Sequence, residues 1–180
     1  MRRLIEYCLV SADGMVLDDP FQFRDYYDDA YLRDRLGLFA ACDAMLWGRT
    51  TYERLAKRWP PGSEATRPYL ERLNAIRKYV FSSKLETAEW NNSTIVRGDV
   101  AAEVAKLKQQ DGGDLLILGH GLLGETLLKQ RLLDVLEIAI YPVLVGHGRP
   151  LFREGQAVKL KLTGTKSFTK IVKVSYEPQH

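Results

Sequence analysis

The sequence predicts an α/β fold: a three-layer sandwich with a mainly parallel, mixed central sheet, ending in an antiparallel ribbon. Three observations predict it. Apolar runs of strand length recur at Arg2–Val10, Ala44–Trp47, Lys78–Phe81, Leu115–Leu118 and Val135–Val145, and such runs suit strands covered by helices on both faces. Segments with helical spacing lie between most of these runs, which makes βαβ units. The C-terminal part instead alternates with period two, from Val158 to Leu162 and from Phe168 to Tyr176, as an antiparallel pair with one solvated face does.

Composition sets the frame. The 180 residues suit a single domain spanning the chain. Hydrophobic residues are 46% and charged residues 27%, ordinary for a soluble globular protein. A net charge of +3, with no basic stripe interleaved with aromatics, argues against nucleic acid and agrees with a small anionic ligand. No apolar run is long enough to span a bilayer, and the first residues lack a signal-peptide core, so a cytoplasmic protein is expected. Cys8 and Cys42 sit in apolar runs and read as buried, reduced thiols.

In chain order, Arg2–Val10 is the first strand, broken by the turn residues Ser11-Ala12-Asp13-Gly14. Met15-Val16-Leu17 is a short extended return that ends at Asp18-Asp19-Pro20. Phe21–Tyr27 is rich in aromatics, a loop that either lines a pocket or packs against the body. Asp28 or Asp29 caps a helix to about Ala41, with Leu32, Leu36, Phe39 and Ala40 as its apolar face. Asp43 ends that helix, and Ala44–Trp47 is the second strand. Tyr52–Lys57 is helical and stops at Trp59-Pro60-Pro61-Gly62. Thr66–Asn74 is helical, with Pro68 in its first turn. Lys78–Phe81 and Ser93–Val96 are strands. Val100–Gln109 is a helix ended by Asp111-Gly112-Gly113. After Leu115–Leu118, the leucines 122, 123, 127 and 128 recur at helical spacing. Val135–Tyr141 is the next strand, and Gly164 is placed in the turn of the final ribbon.

Chemistry collects at strand ends. Gly119-His120-Gly121 joins a strand to a helix, an arrangement that binds phosphate through free N–H groups and the helix dipole. Gly119-x-Gly121-x-x-Gly124 formally matches a dinucleotide fingerprint, and a tight turn is the competing explanation. The acidic residue that fingerprint wants at the next strand's end is absent, since Asp134 and Glu137 fall at its start and middle. Gly48-Arg49-Thr50-Thr51 repeats the same logic with a guanidinium suited to bidentate phosphate bonds. Ser82-Ser83-Lys84 adds hydroxyls and an ammonium at a third strand end. In a parallel sheet such ends share one edge, and together they suit a dinucleotide with an extra phosphate. Neither His120 nor His147 has a partner at metal-ligand spacing, so no metal is expected.

Beyond these features, the sequence resembles the dihydrofolate reductase-like superfamily, and most of all the reductase domain of bacterial riboflavin biosynthesis. The carriers are Ser11-x-Asp13-Gly14, the run Asp43 to Glu53, Val80-Phe81-Ser82-Ser83, Leu116-Ile117-Leu118-Gly119-x-Gly121, and Tyr141 to Phe152. The resemblance spans nearly the whole chain and implies NADPH as hydride donor. It implies that Arg49 and Ser82-Ser83-Lys84 hold the 2′-phosphate. Gly48 belongs to the same cofactor set; Thr50 and Thr51 would meet the pyrophosphate on one side, and Gly119, His120, Gly121, Leu122 and Leu123 on the other. Leu9 and Val10 would line the nicotinamide, with Asp28, Trp47 and Tyr141 toward the substrate. The carboxylate that dihydrofolate reductases carry on the first helix falls near Leu32, and their tyrosine after the glycine turn at Gly124. The function expected is therefore an NADPH-dependent reductase of a small heterocyclic or carbonyl substrate, not of dihydrofolate. The catalytic acid is not assigned. A homodimer is expected, with Val135–Val145 and the ribbon as its surface. The alternative is a non-catalytic nucleotide-binding or regulatory module on the same scaffold.

Overall fold

The computed structural model describes residues 1–19, 22–57, 67–152, 155 and 157–179. The stop at Trp59-Pro60-Pro61-Gly62, together with Pro20, Phe21 and Thr66, lies outside them. The elements are β1 (Leu4–Ser11), α1 (Asp29–Ala41), β2 (Cys42–Gly48), α2 (Arg49–Lys57), α3 (Arg67–Ala75), β3 (Arg77–Phe81), β4 (Ser93–Val96), α4 (Val100–Gln109), β5 (Asp114–Leu118), α5 (Leu122–Lys129), β6 (Val135–Tyr141), β7 (Lys159–Ser167) and β8 (Val172–Gln179).

The strands form one sheet in the order β4-β3-β2-β5-β1-β6-β8-β7. From β4 to β6 all neighbours are parallel, and β8 and β7 pair antiparallel at one side. β1 lies between β5 and β6 and is buried at every position. Its side chains alternate between two cores, as the pleat requires. Ile5, Tyr7 and Leu9 join Tyr31 and Phe39 of α1, Tyr52 and Leu55 of α2 and Leu73 of α3. Leu4, Cys8 and Val10 join Val104 and Leu107 of α4 and Leu127 of α5. Helices on both faces make the expected three layers.

Several expectations change in detail. Asp28 caps α1, accepting from the Tyr31 N–H at 2.7 Å, but the buried face is Tyr31, Arg35 and Phe39 rather than Leu32, Leu36 and Ala40. The helix is turned by about one residue because its polar atoms find partners inside: the Tyr31 hydroxyl meets those of Tyr7 and Tyr141 at 2.9 and 2.8 Å. Asp43 lies in β2, one residue past its start, where it pairs with Arg2 and accepts from the Gly113 N–H at 3.0 Å. Gly164 lies inside β7 at a register shift, and the ribbon reverses at Phe168–Ile171. β6 is flanked by β1 and β8, so its edges are not free for a second copy. Among the described residues no helix is long and apolar enough to cross a membrane. Both cysteines are free and buried, as expected.

Candidate active site

Parallel register brings the strand ends to one level. Gly48 pairs with Phe81, and Leu46 with Ile117, so Gly48 and Gly119 each stand two residues past the second pair. The segments Arg49-Thr50-Thr51, Ser82-Ser83-Lys84 and Gly119-His120-Gly121 therefore follow three adjacent strands, β2, β3 and β5. β2 leads into α2 on one face of the sheet, and β5 into α5 on the other. Where neighbouring strands send their chains to opposite faces, a crevice opens at the edge.

The backbone there suits an anion. Gly119 has φ +78°, a conformation side chains with a Cβ rarely adopt. Among the described residues, nothing lies within 4 Å of where a Cβ would stand at Gly48, Gly119 or Gly121. Among the described residues no side chain caps α5 at Gly121, and uncapped N–H groups at a helix start are suited to an anion. Arg49 is half-exposed and reaches Glu53 at 3.0 and 3.2 Å. Such an exposed pair is worth about 0.5 kcal/mol, so a phosphate can compete for the guanidinium. Thr50 is exposed and Thr51 half-buried. The Ser82 hydroxyl oxygen accepts from the N–H groups of Lys84 and Leu85 at 3.1 and 2.9 Å, so it shapes its own turn. Ser83 and Lys84 are exposed. Arg97, at the end of β4, braces that turn through the carbonyls of Ser83 and Leu85 at 3.0 and 2.8 Å.

Beside the crevice lies an open cleft with a largely apolar lining. Leu9, Thr51 and Gly119 line it on the expected cofactor side, together with Leu118. Tyr7, Arg35, Arg54, Leu55 and Leu73 complete it from the strand and from α1, α2 and α3. Arg35 is 3% exposed. Its guanidinium carbon stands 5.5 to 5.6 Å from the ring centres of Tyr7, Tyr27 and Tyr31, and it donates to the Tyr27 hydroxyl at 3.2 Å. Stacked aromatic faces stabilise a buried cation of this kind. Tyr7 begins the hydroxyl chain through Tyr31 to Tyr141. Burial pushes all three phenols upward, so they stay protonated and act as hydrogen-bond donors. Asp18 also lines the cleft and faces Arg54 at 3.1 Å and Arg149 at 3.6 Å.

Other expected residues lie elsewhere. Val10 points to the opposite core from Leu9, because adjacent strand residues alternate. Trp47 and Tyr141 are 1% and 0% exposed and do not line the cleft. Trp47 stacks with Trp90 at 5.1 Å between ring centres. Tyr141 packs against Phe23, Tyr26 and Tyr27 at 6.1 to 6.4 Å, so those loop aromatics pack against the body. Asp28 is committed to Tyr31 and to the Thr169 N–H at 2.8 Å, and is a helix cap rather than a pocket residue. Leu122 is 73% exposed, whereas Leu123 packs on the α4–α5 core. Sequence reasoning missed Tyr7, Arg35 and Arg54. The one available signal was Arg35, a cation spaced four residues from Tyr31 and from Phe39.

The His120 side chain does not face the crevice. It is 3% exposed, and its Nδ1 lies 3.0 Å from Glu6 Oε1 in the α4–α5 core, with Phe152 at 4.9 Å between ring centres. Burial pushes the Glu6 carboxyl above the usual range, while the hydrogen bond with His120 opposes that shift. Gly124 makes room for the pair: a Cβ there would stand 1.8 Å from Glu6 Oε1 and 2.9 Å from His120 Nδ1. The third glycine of the fingerprint thus makes room for a buried carboxyl, and only Gly119 and Gly121 stand at the strand-end crevice.

Comparison with known proteins agrees with this fold. Over 178 residues the chain is 29% identical to the uncharacterized protein YwjB of Bacillus subtilis (strain 168), covering 97% of each. It superposes on a candidate riboflavin biosynthesis protein of Shewanella sp. PV-4 with TM-score 0.74 and 18% identity, over 99% of both chains. It also superposes on the diaminohydroxyphosphoribosylaminopyrimidine deaminase/5-amino-6-(5-phosphoribosylamino)uracil reductase of Thermotoga maritima, with TM-score 0.69 and 14% identity, covering 99% of this chain and 57% of that one. At these identities the two structures establish a shared fold. The RibD C-terminal domain family matches residues 3–174, and the chain therefore belongs to that family, in the dihydrofolate reductase-like fold.

Proposed function

We propose that the protein is an NADPH-dependent reductase that transfers hydride to a small heterocyclic or carbonyl substrate. The observation that carries this reading is the shared cleft. Residues of the nucleotide edge (Leu9, Thr51, Gly119) and residues from the far side (Tyr7, Arg35, Leu73) line one cavity. A donor held at the edge and an acceptor held against the far wall would then meet without crossing solvent.

The open space over Gly48, Gly119 and Gly121 and the uncapped start of α5 fit the dinucleotide. Arg49, Ser83 and Lys84 would hold its extra phosphate, and the backbone from Gly119 to Leu123 its pyrophosphate. NADPH supplies the hydride when bound. This chain's work is to orient the two rings and to keep water out. Leu9, Leu55, Leu73 and Leu118 make much of the wall apolar. Arg35 places a fixed cation in it, which favours a substrate presenting a carbonyl oxygen or an anionic group there. Tyr7 offers a phenol proton backed by Tyr31 and Tyr141.

Calorimetric titration with NADPH tests the first half, and spectrophotometric NADPH oxidation with a panel of pterins, pyrimidines, flavins and quinones tests the second. No binding at millimolar NADPH removes the reading. Asp18 is the one carboxylate lining the cleft among the described residues, and it is engaged by two arginines. That observation favours the second reading, a nucleotide-binding module without turnover. Steady oxidation with any member of the panel eliminates it. A homodimer remains part of the proposal, now resting on the exposed Leu162 and Val172 of the ribbon, and sedimentation reads it directly.

A further inference from the structure

We propose that Glu6, Cys8 and His120 form a buried site for a divalent transition-metal cation of the zinc and cobalt class. The site lies in the α4–α5 core beneath the glycine turn, and the inference does not depend on the reductase reading.

The geometry comes from the sheet. Glu6 and Cys8 are two apart on β1 and point to the same face. His120 stands two residues beyond Leu118, the residue paired with Tyr7 on the adjacent strand. A carboxylate oxygen, the Cys8 sulfur and an imidazole nitrogen lie within 4.8 Å of one another, and all three residues are buried. In a tetrahedral zinc site, donors stand about 3.5 Å apart. Closing onto an ion therefore needs shifts of about 1 Å or less per side chain.

A second observation points the same way. Among the described residues, Glu6 Oε2 and His120 Nε2 have no hydrogen-bond partner, although their residues are 0% and 3% exposed. Buried polar atoms are seldom left so. The two residues already share one bond, between Glu6 Oε1 and His120 Nδ1 at 3.0 Å, and a neutral imidazole keeps one unprotonated nitrogen for an ion. Nitrogen, sulfur and oxygen together match a borderline cation and not magnesium or calcium, which take oxygen alone. On binding, the Cys8 thiol, and the Glu6 carboxyl where it carries a proton, release protons to solvent, and the sulfur–metal and oxygen–metal bonds form with no change in oxidation state. Three protein donors leave a fourth position, which water completes.

The test uses the full chain produced with Co²⁺ in the medium and desalted without chelator. The expected result is about one cobalt per chain, with a near-ultraviolet thiolate-to-cobalt absorption. Cys8→Ser should abolish that absorption, whereas Cys42→Ser should keep it. His120→Gln should weaken Co²⁺ at least about tenfold, within the range that altering a metal site's partners produces. X-ray absorption of the unaltered cobalt protein removes any dependence on how the variants fold: one sulfur neighbour is expected. Oxygen and nitrogen neighbours alone, a charge-transfer band that survives Cys8→Ser, or a chain that retains no cobalt would each overturn the proposal.

Discussion

Gly124→Ala tests the packing beneath the turn most directly. The new methyl would stand 1.8 Å from Glu6 Oε1, 2.8 Å from the Glu6 carboxyl carbon and 2.9 Å from His120 Nδ1. Glu6 is 0% exposed, so its carboxyl cannot swing into water. Either α5 moves off the sheet or the Glu6–His120 bond breaks. Overpacking costs about 1–3 kcal/mol, and a buried polar group left unpaired costs about 1–3 kcal/mol more. Where both costs are incurred they come to about 2–6 kcal/mol, or about 4–24 °C in melting temperature at about 2–4 °C per kcal/mol for a chain of this size. Urea unfolding of the purified variant measures it. Adding Glu6→Ala to Gly124→Ala should return part of the loss, because the obstructing carboxyl is gone, and the cycle should show a coupling of about 1–3 kcal/mol. A single variant that loses less than about 1 kcal/mol would mean that α5 adjusts freely and that Gly124 is not constrained by Glu6.

Arg49→Ala should weaken NADPH by about 10- to 100-fold, the loss of a charge-assisted phosphate contact worth about 1.5–3 kcal/mol, and leave NADH unchanged; equal losses in titration would remove its assigned role. Arg35→Leu should raise the substrate KM by about tenfold or more, equivalent to about 1.4 kcal/mol, with NADPH affinity unaltered, and a change confined to NADPH would place Arg35 on the wrong half of the cleft. Lys78→Met leaves the carbonyls of Asn74, Ile76 and Asn91 without the ammonium that now reaches them at 2.8 to 2.9 Å. A loss of about 2–4 kcal/mol in chemical unfolding is expected. Burial pulls Lys78 down to about 8 from 10.5. The unfolded chain then binds the extra proton between these values, and the Lys78 contribution to stability rises with pH across that window. Lys78→Met should flatten that rise, and an unchanged pH profile would count against the shift.

Local signals carried much of the fold. β4, β6 and α4 begin and end where their residues say, because each is bounded by strong punctuation such as the Asp99 cap, which accepts from the Ala102 N–H at 2.7 Å. The edge chemistry was legible for the same reason: apolar run, glycine, then hydroxyl or cation marks a strand's carboxyl end, and parallel register does the rest. Orientation was not legible. The Trp47 side chain is set by the pleat of a strand whose neighbours are far away in sequence, so an aromatic one residue before Gly48 looks like a pocket wall and is core. Arg35 was passed over because a charge on a helix usually faces water, and the three tyrosine rings that receive it come from separate segments.

The glycine fingerprint shows why spacing alone misleads. Gly119 answers to a positive φ and Gly121 to a helix start without a side-chain cap, both local demands of the turn itself. Gly124 answers to Glu6, 118 residues earlier in the chain (124 minus 6), and would be needed with or without a ligand. His120, placed between them, belongs with Gly124: its backbone helps form the turn while its ring closes the core beneath. Any nucleotide site at this edge depends instead on Arg49 following β2, the neighbour of Gly119's strand β5, and on Ser83 following β3, one strand further, a relation fixed by register rather than by the motif.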